Sequence, residues 1–413
     1  MKYLKENASS IKLLAGIILG GIFGIIFGEK MSVVEPIGKL FLNFIFMIIV
    51  PLVFFSVASA IANMENGKRL GKIMGYTLLV FTFTALISAI LAYIALALFP
   101  LLDANKFDMT SIISSLGDVQ TQSDISIADR IVSMLSVEDF SELLSKNNMI
   151  AIIIFSLFVG LATSKTSQDN PTFKNFLNAG NAMMMKVVDY IMYLAPIGLG
   201  CYFASTIGQL GSQLINGYAK TMMVYCALTI IYFFGMMSLY AFMANGKQGI
   251  NDFWHNISTP ALTAIATCSS AASIPVNIEY TKKMKVEDDI AETVIPLGAN
   301  THKDGSVIGG VFKIGFLFIL FGRDITSLEN IAVIILGGFF VGLVMGSIPG
   351  GGAIAETMIA VFFGFPVETV PLIMIISTII DIPATLLNSA GNTVSAMMVQ
   401  SLMKRSEQKI IES

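Results

Sequence analysis

The side chains that could do chemistry lie between residues 250 and 401. Asp381, Thr385, Asn388 and Asn392 fall at offsets 0, 4, 7 and 11. At about 100° per residue they lie within about 60° of one another on one helix face. The rest of the 370–400 segment is mostly Ile, Leu, Met, Val and Ala. A lone Asn on such a face would suit helix packing. An acid with three aligned polar partners is a binding-site candidate. His302-Lys303-Asp304 stands between apolar runs at 294–297 and 307–321, and charge at membrane depth again signals function.

Two further segments break their apolar runs. Thr267-Cys268-Ser269-Ser270-Ala271-Ala272-Ser273-Ile274-Pro275 follows the run 257–266, which is too brief to span a bilayer. It reads either as the tip of a re-entrant helical hairpin or as a small-residue packing face. No helix runs unbroken through Pro349-Gly350-Gly351-Gly352, and the flanks 331–344 and 353–365 are only 14 and 13 residues long. That favours a second hairpin over an external loop. Paired broken segments point to a transporter binding site. Their half-helix ends offer dipoles to a substrate carboxylate, and their opened carbonyls suit a cation. Glu356 adds an acid one turn beyond the second tip.

The elements that must position these residues follow from composition. The chain has 413 residues, 55% hydrophobic, with 25 Lys and Arg and 28 Asp and Glu. Its 13% charged content is half the roughly 25% of soluble proteins, which indicates one polytopic, all-α membrane domain. A net charge of −3 excludes a nucleic-acid footprint. Cys201, Cys226 and Cys268 lie in apolar stretches and form no disulfide framework. Two histidines argue against a zinc site.

Apolar runs predict spans at 13–28, 40–62 (kinked at Pro51), 73–101, 149–163, 183–207 and 222–244. The first is read as a retained span, not a signal peptide. Residues 102–148 carry eight acids against three bases. Lys and Arg cluster before span one, at 68–72, at 165–174, at 282–285 and at 404–409. The positive-inside rule then places both termini in the cytoplasm and 102–148 outside. The expected location is the plasma (inner) membrane, multi-pass.

Ser269-Ser270 with Pro275, Asp304-Gly305-Ser306, Pro349 to Gly352 and the Asp381…Asn388 face together carry a resemblance. The chain resembles the dicarboxylate/amino acid:cation symporter family, the glutamate transporter homologues, over nearly its whole length. The resemblance implies eight transmembrane helices plus two re-entrant hairpins in a homotrimer. Residues 1–249 would form a six-span N-terminal part with the trimerisation scaffold and some mobile elements. Residues 250–401 would form the core of an elevator-type transport domain, and 402–413 a cytoplasmic tail. Within the core, hairpin one covers about 250–283, span seven 287–321, hairpin two 328–367 and span eight 368–401.

The family's roles carry over as follows. Ser269, Ser270 and Asn388 hold an α-carboxylate, Asp381 takes the α-ammonium, and Thr385 lies beside it. Ser306 faces the substrate side chain, and Pro349 to Gly352 form the gate tip. Members that carry acidic amino acids place an arginine at the position of Ala384, and some place one at Cys268. With neither, a second buried carboxylate lacks a partner. A neutral side chain is therefore expected, with Lys303 as the one cation that could restore an acidic substrate.

The sodium ligands implied by the resemblance are degraded. One site uses carbonyls of Gly298, His302 and Asn388 and a carboxylate that is Asn392 here. Another uses Asp304, a span-seven amide that is His302 here, and span-three side chains matched to Thr77, Val80 and Phe81. A third uses backbone near Asn300 and Lys303 with the hairpin-two tip. Two readings follow: Lys303 acts as a tethered cation in place of at least one bound Na⁺, with H⁺ coupling through Lys303, His302 or Glu356, or Lys303 points away and Na⁺ still binds through backbone oxygens.

The expectation is a symporter for a small amino acid with a neutral side chain and atypical cation coupling, with no cofactor beyond Na⁺ or H⁺. The alternative is a Na⁺-coupled acidic amino acid or dicarboxylate symporter. A channel would show polar faces in several spans. An intramembrane hydrolase would need a base at Ser269 or Ser270, for which only His302 qualifies. Expected partners are the small-molecule substrate, membrane lipid and two further copies of the chain.

Overall fold

A computed structural model describes residues 8–63, 68–102, 136–145, 148–167, 170–210, 213–344 and 351–411. Among these residues the regular structure is helical, with no strand. In a bilayer a helix satisfies its own backbone groups within one segment, which suits this apolar composition.

The N-terminal part holds α1 (Ala8–Phe27), α2 (Glu35–Ala62), α3 (Lys68–Leu98), a single turn at Phe140–Leu143, α4 (Met149–Thr166), α5 (Thr172–Met192) and α6 (Ala195–Leu210). Next come α7 (Gln213–Ile231) and α8 (Met237–Asn256), joined through a π-helical turn at Tyr232–Met236. Four stretches among the described residues are long and apolar enough to cross a membrane: Ala15–Phe41, Gly71–Leu98, Leu214–Asn256 and Val370–Gln408. Pro51 lies inside α2 as expected. The expected single span 183–207 is instead two helices, α5 and α6. The chain turns at Tyr193 and Leu194, and Pro196 occupies the first turn of α6, where its missing N–H costs nothing.

The C-terminal part holds α9 (Ser258–Thr267), α10 (Ile274–Lys283), α11 (Asp288–Thr301), α12 (Asp304–Leu320), α13 (Leu328–Val344), α14 (Gly351–Phe362) and α15 (Val370–Ile411). α9 ends at Cys268, whose left-handed backbone (φ 48°) terminates the helix. α10 then starts with Pro275 in its first turn and packs back on α9. α11 and α12 are separated by His302 and Lys303 in non-helical conformations. α15 is continuous through Pro383 and extends beyond residue 401, so the expected tail is helical as far as Ile411.

All 17 residues of α12 are buried, and the helix packs against α3, α13 and α15. Its approach to α13 is nearly backbone to backbone. A Cβ on Gly338 would lie 2.3 Å from Val311 Cγ2. Small residues allow this closeness where lipid offers no hydrophobic drive between helices. α12 and α15 thus form the axis that carries the polar residues.

Candidate functional site

Three polar layers lie along the seam between α12 and α15. The first surrounds His302, which is 1% exposed. Its Nδ1 lies 2.9 Å from Asn392 Oδ1 on α15, and its Nε2 lies 2.7 Å from Thr84 Oγ1 on α3 and 3.1 Å from Asp304 Oδ1. The imidazole stacks on Phe81 with ring centroids 4.2 Å apart. The hydroxyl of Tyr232, on the π-helical turn, donates to Asp304 Oδ2 at 3.0 Å. The ring therefore occupies the point where carboxylate, amide and hydroxyl oxygens converge. Gly298 is required there, because a Cβ would come within 2.3 Å of Asn392 Oδ1.

This layer revises the span-three expectation. Thr77 is buried, but its hydroxyl donates to Ile73 O within its own helix. Thr84 supplies the contact, and Phe81 supplies a ring face instead of an oxygen. Asn300 is exposed and donates to Pro296 O at 2.9 Å.

The second layer joins α12 to α15 one turn further along. Ser306 N donates to Asn388 Oδ1 and Asn388 Nδ2 donates to Ser306 Oγ, both at 3.2 Å. Thr385 donates to Asp381. Lys303 is 5% exposed, lies within electrostatic reach of Asp381, and does not close into an ion pair with it. Cys268, at the end of α9, donates from Sγ to Ile265 O at 3.6 Å. The carbonyl of Ala384 sits against Gly305, 2.4 Å from where a Cβ would be. Tyr225 on α7 donates to Gly305 O at 2.7 Å.

The segment after α9 is held by its own serines. Ser269 O accepts from Ser273 Oγ at 2.9 Å, Ser269 Oγ accepts from Ala272 N at 3.2 Å, and Ser270 is buried. α10 is fixed to α15 by Asn277 Nδ2 donating to Ser389 Oγ at 2.8 Å. Pro349 lies outside the described residues, and Gly352 is in the first turn of α14.

The third layer gives Glu356 a partner that lies outside the sequence motifs. Lys313, 1% exposed, donates from Nζ to Glu356 Oε1 at 2.7 Å and to Ser377 Oγ at 2.9 Å. Ser377 in turn donates to Glu356. One buried ion pair thus joins α12, α14 and α15. Lys313 was readable as the only charge in the apolar run 307–321. A buried cation requires an acid, and Glu356 was the acid available.

These layers lie in a chain whose residues 10–402 match the model of the Sodium:dicarboxylate symporter family. The chain belongs to that family. It is 26% identical over 417 residues to the proton/sodium-glutamate symport protein of Bacillus subtilis, covering 97% of this chain and 93% of the relative. It is 27% identical over 400 residues to a C4-dicarboxylate transport protein of Leptothrix cholodnii, covering 94% and 87%. It is 25% identical over 405 residues to the neutral amino acid transporter B(0) of Oryctolagus cuniculus, covering 90% and 74%. As a member of the sodium:dicarboxylate symporter family, this is a membrane protein whose named relatives are transporters. Their substrates differ, so membership fixes the class of activity and leaves the substrate to the site.

Proposed function

We propose that this chain is a secondary active symporter for a small amino acid with a neutral side chain. The observation that carries this reading is the second layer, where the half-buried carboxylate of Asp381 shares a helix face with Asn388, which pairs reciprocally with Ser306. In this reading Asp381 takes the α-ammonium and Thr385 keeps it oriented. Asn388, Ser269 and Ser270 receive the α-carboxylate. Ser306 and Ala384 bound the side chain, with Pro349 and Gly352 closing the site. A distal carboxylate would find alanine at 384 and cysteine at 268, and an unpaired buried charge is costly.

Coupling is to a cation, Na⁺ or H⁺. Lys303 replaces one bound cation, and His302 fills the space between Asp304, Thr84 and Asn392. Gly298 and Asn300 retain only backbone roles. α9 to α15 move together as an elevator, with α9–α10 and α13–α14 as the two re-entrant hairpins. The N-terminal helices hold a homotrimer in the plasma membrane, with both termini cytoplasmic.

A second reading has one specific support. Lys303 is a buried cation without a closed ion pair, and it could receive a second carboxylate from an acidic amino acid or dicarboxylate. Uptake of labelled serine, alanine, aspartate and succinate into liposomes holding the full chain separates the two. Serine or alanine uptake is expected, with aspartate and succinate excluded. Uptake of aspartate or succinate alone would replace the first reading with the second.

A further inference from the structure

Lys313 and Glu356 are buried charges with no role in the proposed substrate site. Lys313 Nζ lies 2.7 Å from Glu356 Oε1 and 2.9 Å from Ser377 Oγ. The second carboxylate oxygen, Glu356 Oε2, is buried and has no hydrogen-bond partner among the described residues. Lys313 and Ser377 are therefore the side chains that satisfy this acid. Each member of the cluster stands on a different helix, and each of those helices also carries a residue of the proposed site. On α15, Ser377 precedes Asp381 by four residues. On α12, Lys313 follows Ser306 by seven. On α14, Glu356 follows Gly352 by four. Offsets of four and seven keep each pair on one helix face, within about 40°.

A buried ion pair adds little net stability over an apolar pair of the same volume, because desolvation offsets the attraction. Its best-attested use is to fix register, since one alignment alone brings the charges together. α14 packs on α13 and α15. Met358, Ile359 and Ala360 beside Glu356 are buried and apolar, and apolar contact is non-directional. A slip of α14 by one turn, about 5.4 Å, would strand both charges in this core. We propose that Lys313, Glu356 and Ser377 are positioning residues. Their cluster fixes the register of α14 against α12 and α15, and so sets Gly352 relative to Ser306 and Asp381. The link to the site rests on the symporter reading; the register itself does not.

The test compares the full chain, purified in detergent, with Lys313→Met/Glu356→Gln by backbone hydrogen exchange. The double variant removes both charges and leaves neither unmatched. Loss of protection is expected over residues 351–362, with 274–283 of α10 unchanged as the internal reference. In liposomes the same variant should raise the KM for the labelled substrate found in the uptake comparison by about tenfold, at an unchanged maximal rate. Ser377→Ala leaves the ion pair in place and serves where the double variant does not fold. It should move both readings in the same direction, by less.

Unchanged exchange over 351–362 would overturn the register assignment. Equal loss of protection over 351–362 and 274–283 would do the same, because it reports general loosening. An unchanged KM, whatever the maximal rate, would overturn the positioning role. If no substrate is taken up, the symporter reading fails by itself, and the exchange comparison still decides the register.

Discussion

Lys313 shows how one residue's meaning depends on a partner far away in sequence. Removing its charge alone leaves Glu356 as a buried anion. Lys313→Met should lower unfolding stability by about 3–5 kcal/mol. Lys313→Met/Glu356→Gln should recover most of that loss, because neither product is charged. Denaturation of the purified chain in detergent measures both. Lys313 was legible as a lone charge, but its pairing was not, since the two positions lie 43 residues apart. Span three teaches a related point. Thr77 and Thr84 are seven residues apart, about 20° from alignment, and so share a face. Helical periodicity identifies the face without the depth. The residue two turns further along reaches His302, while Thr77 bonds its own helix. The Asp381–Asn392 face was fully legible, because its four members lie on one unbroken helix.

At the scale of elements, the breaks were more readable than the spans. A left-handed residue at Cys268 and two non-helical residues at His302 and Lys303 stand where small or charged residues interrupt apolar runs. The division between α5 and α6 was missed, because Tyr193 and Leu194 keep the window apolar and Pro196 alone marked the new start. Close packing is also hidden from pattern, since a glycine in a helix declares no neighbour. Gly338→Ala should cost about 1–3 kcal/mol through its collision with Val311. Gly71→Ala, on α3 with nothing within 4 Å, should cost nothing measurable. Thermal unfolding of the two variants side by side checks the contrast.

For the whole molecule, one arginine of the 68–72 cluster joins the start of α3 to the start of α11 and the end of α15. Arg69 at the start of α3 donates to Glu287 at 2.6 Å, to Asp289 at 2.7 Å and to Glu407 near the end of α15 at 2.7 Å. The guanidinium's hydrogen bond and charge hold the Asp289 carboxyl below its ordinary value of 3.8. The sign of the effect follows: a depressed carboxyl stabilises the fold above its unfolded pKa and loses that contribution as pH falls through the folded one. Arg69→Gln should therefore lower the melting temperature slightly near pH 7, by an amount limited by solvent screening. That difference should vanish at strongly acid pH and shrink in high salt. Melting curves of the two proteins across pH would report it. The buried pair of Lys313 and Glu356 has a different consequence, one that concerns descent. Neither codon can change to a neutral residue alone without passing through a chain that buries an unmatched charge. Lineages of this protein should therefore exchange both positions together or neither, and a library randomised at the two sites should return survivors matched in charge.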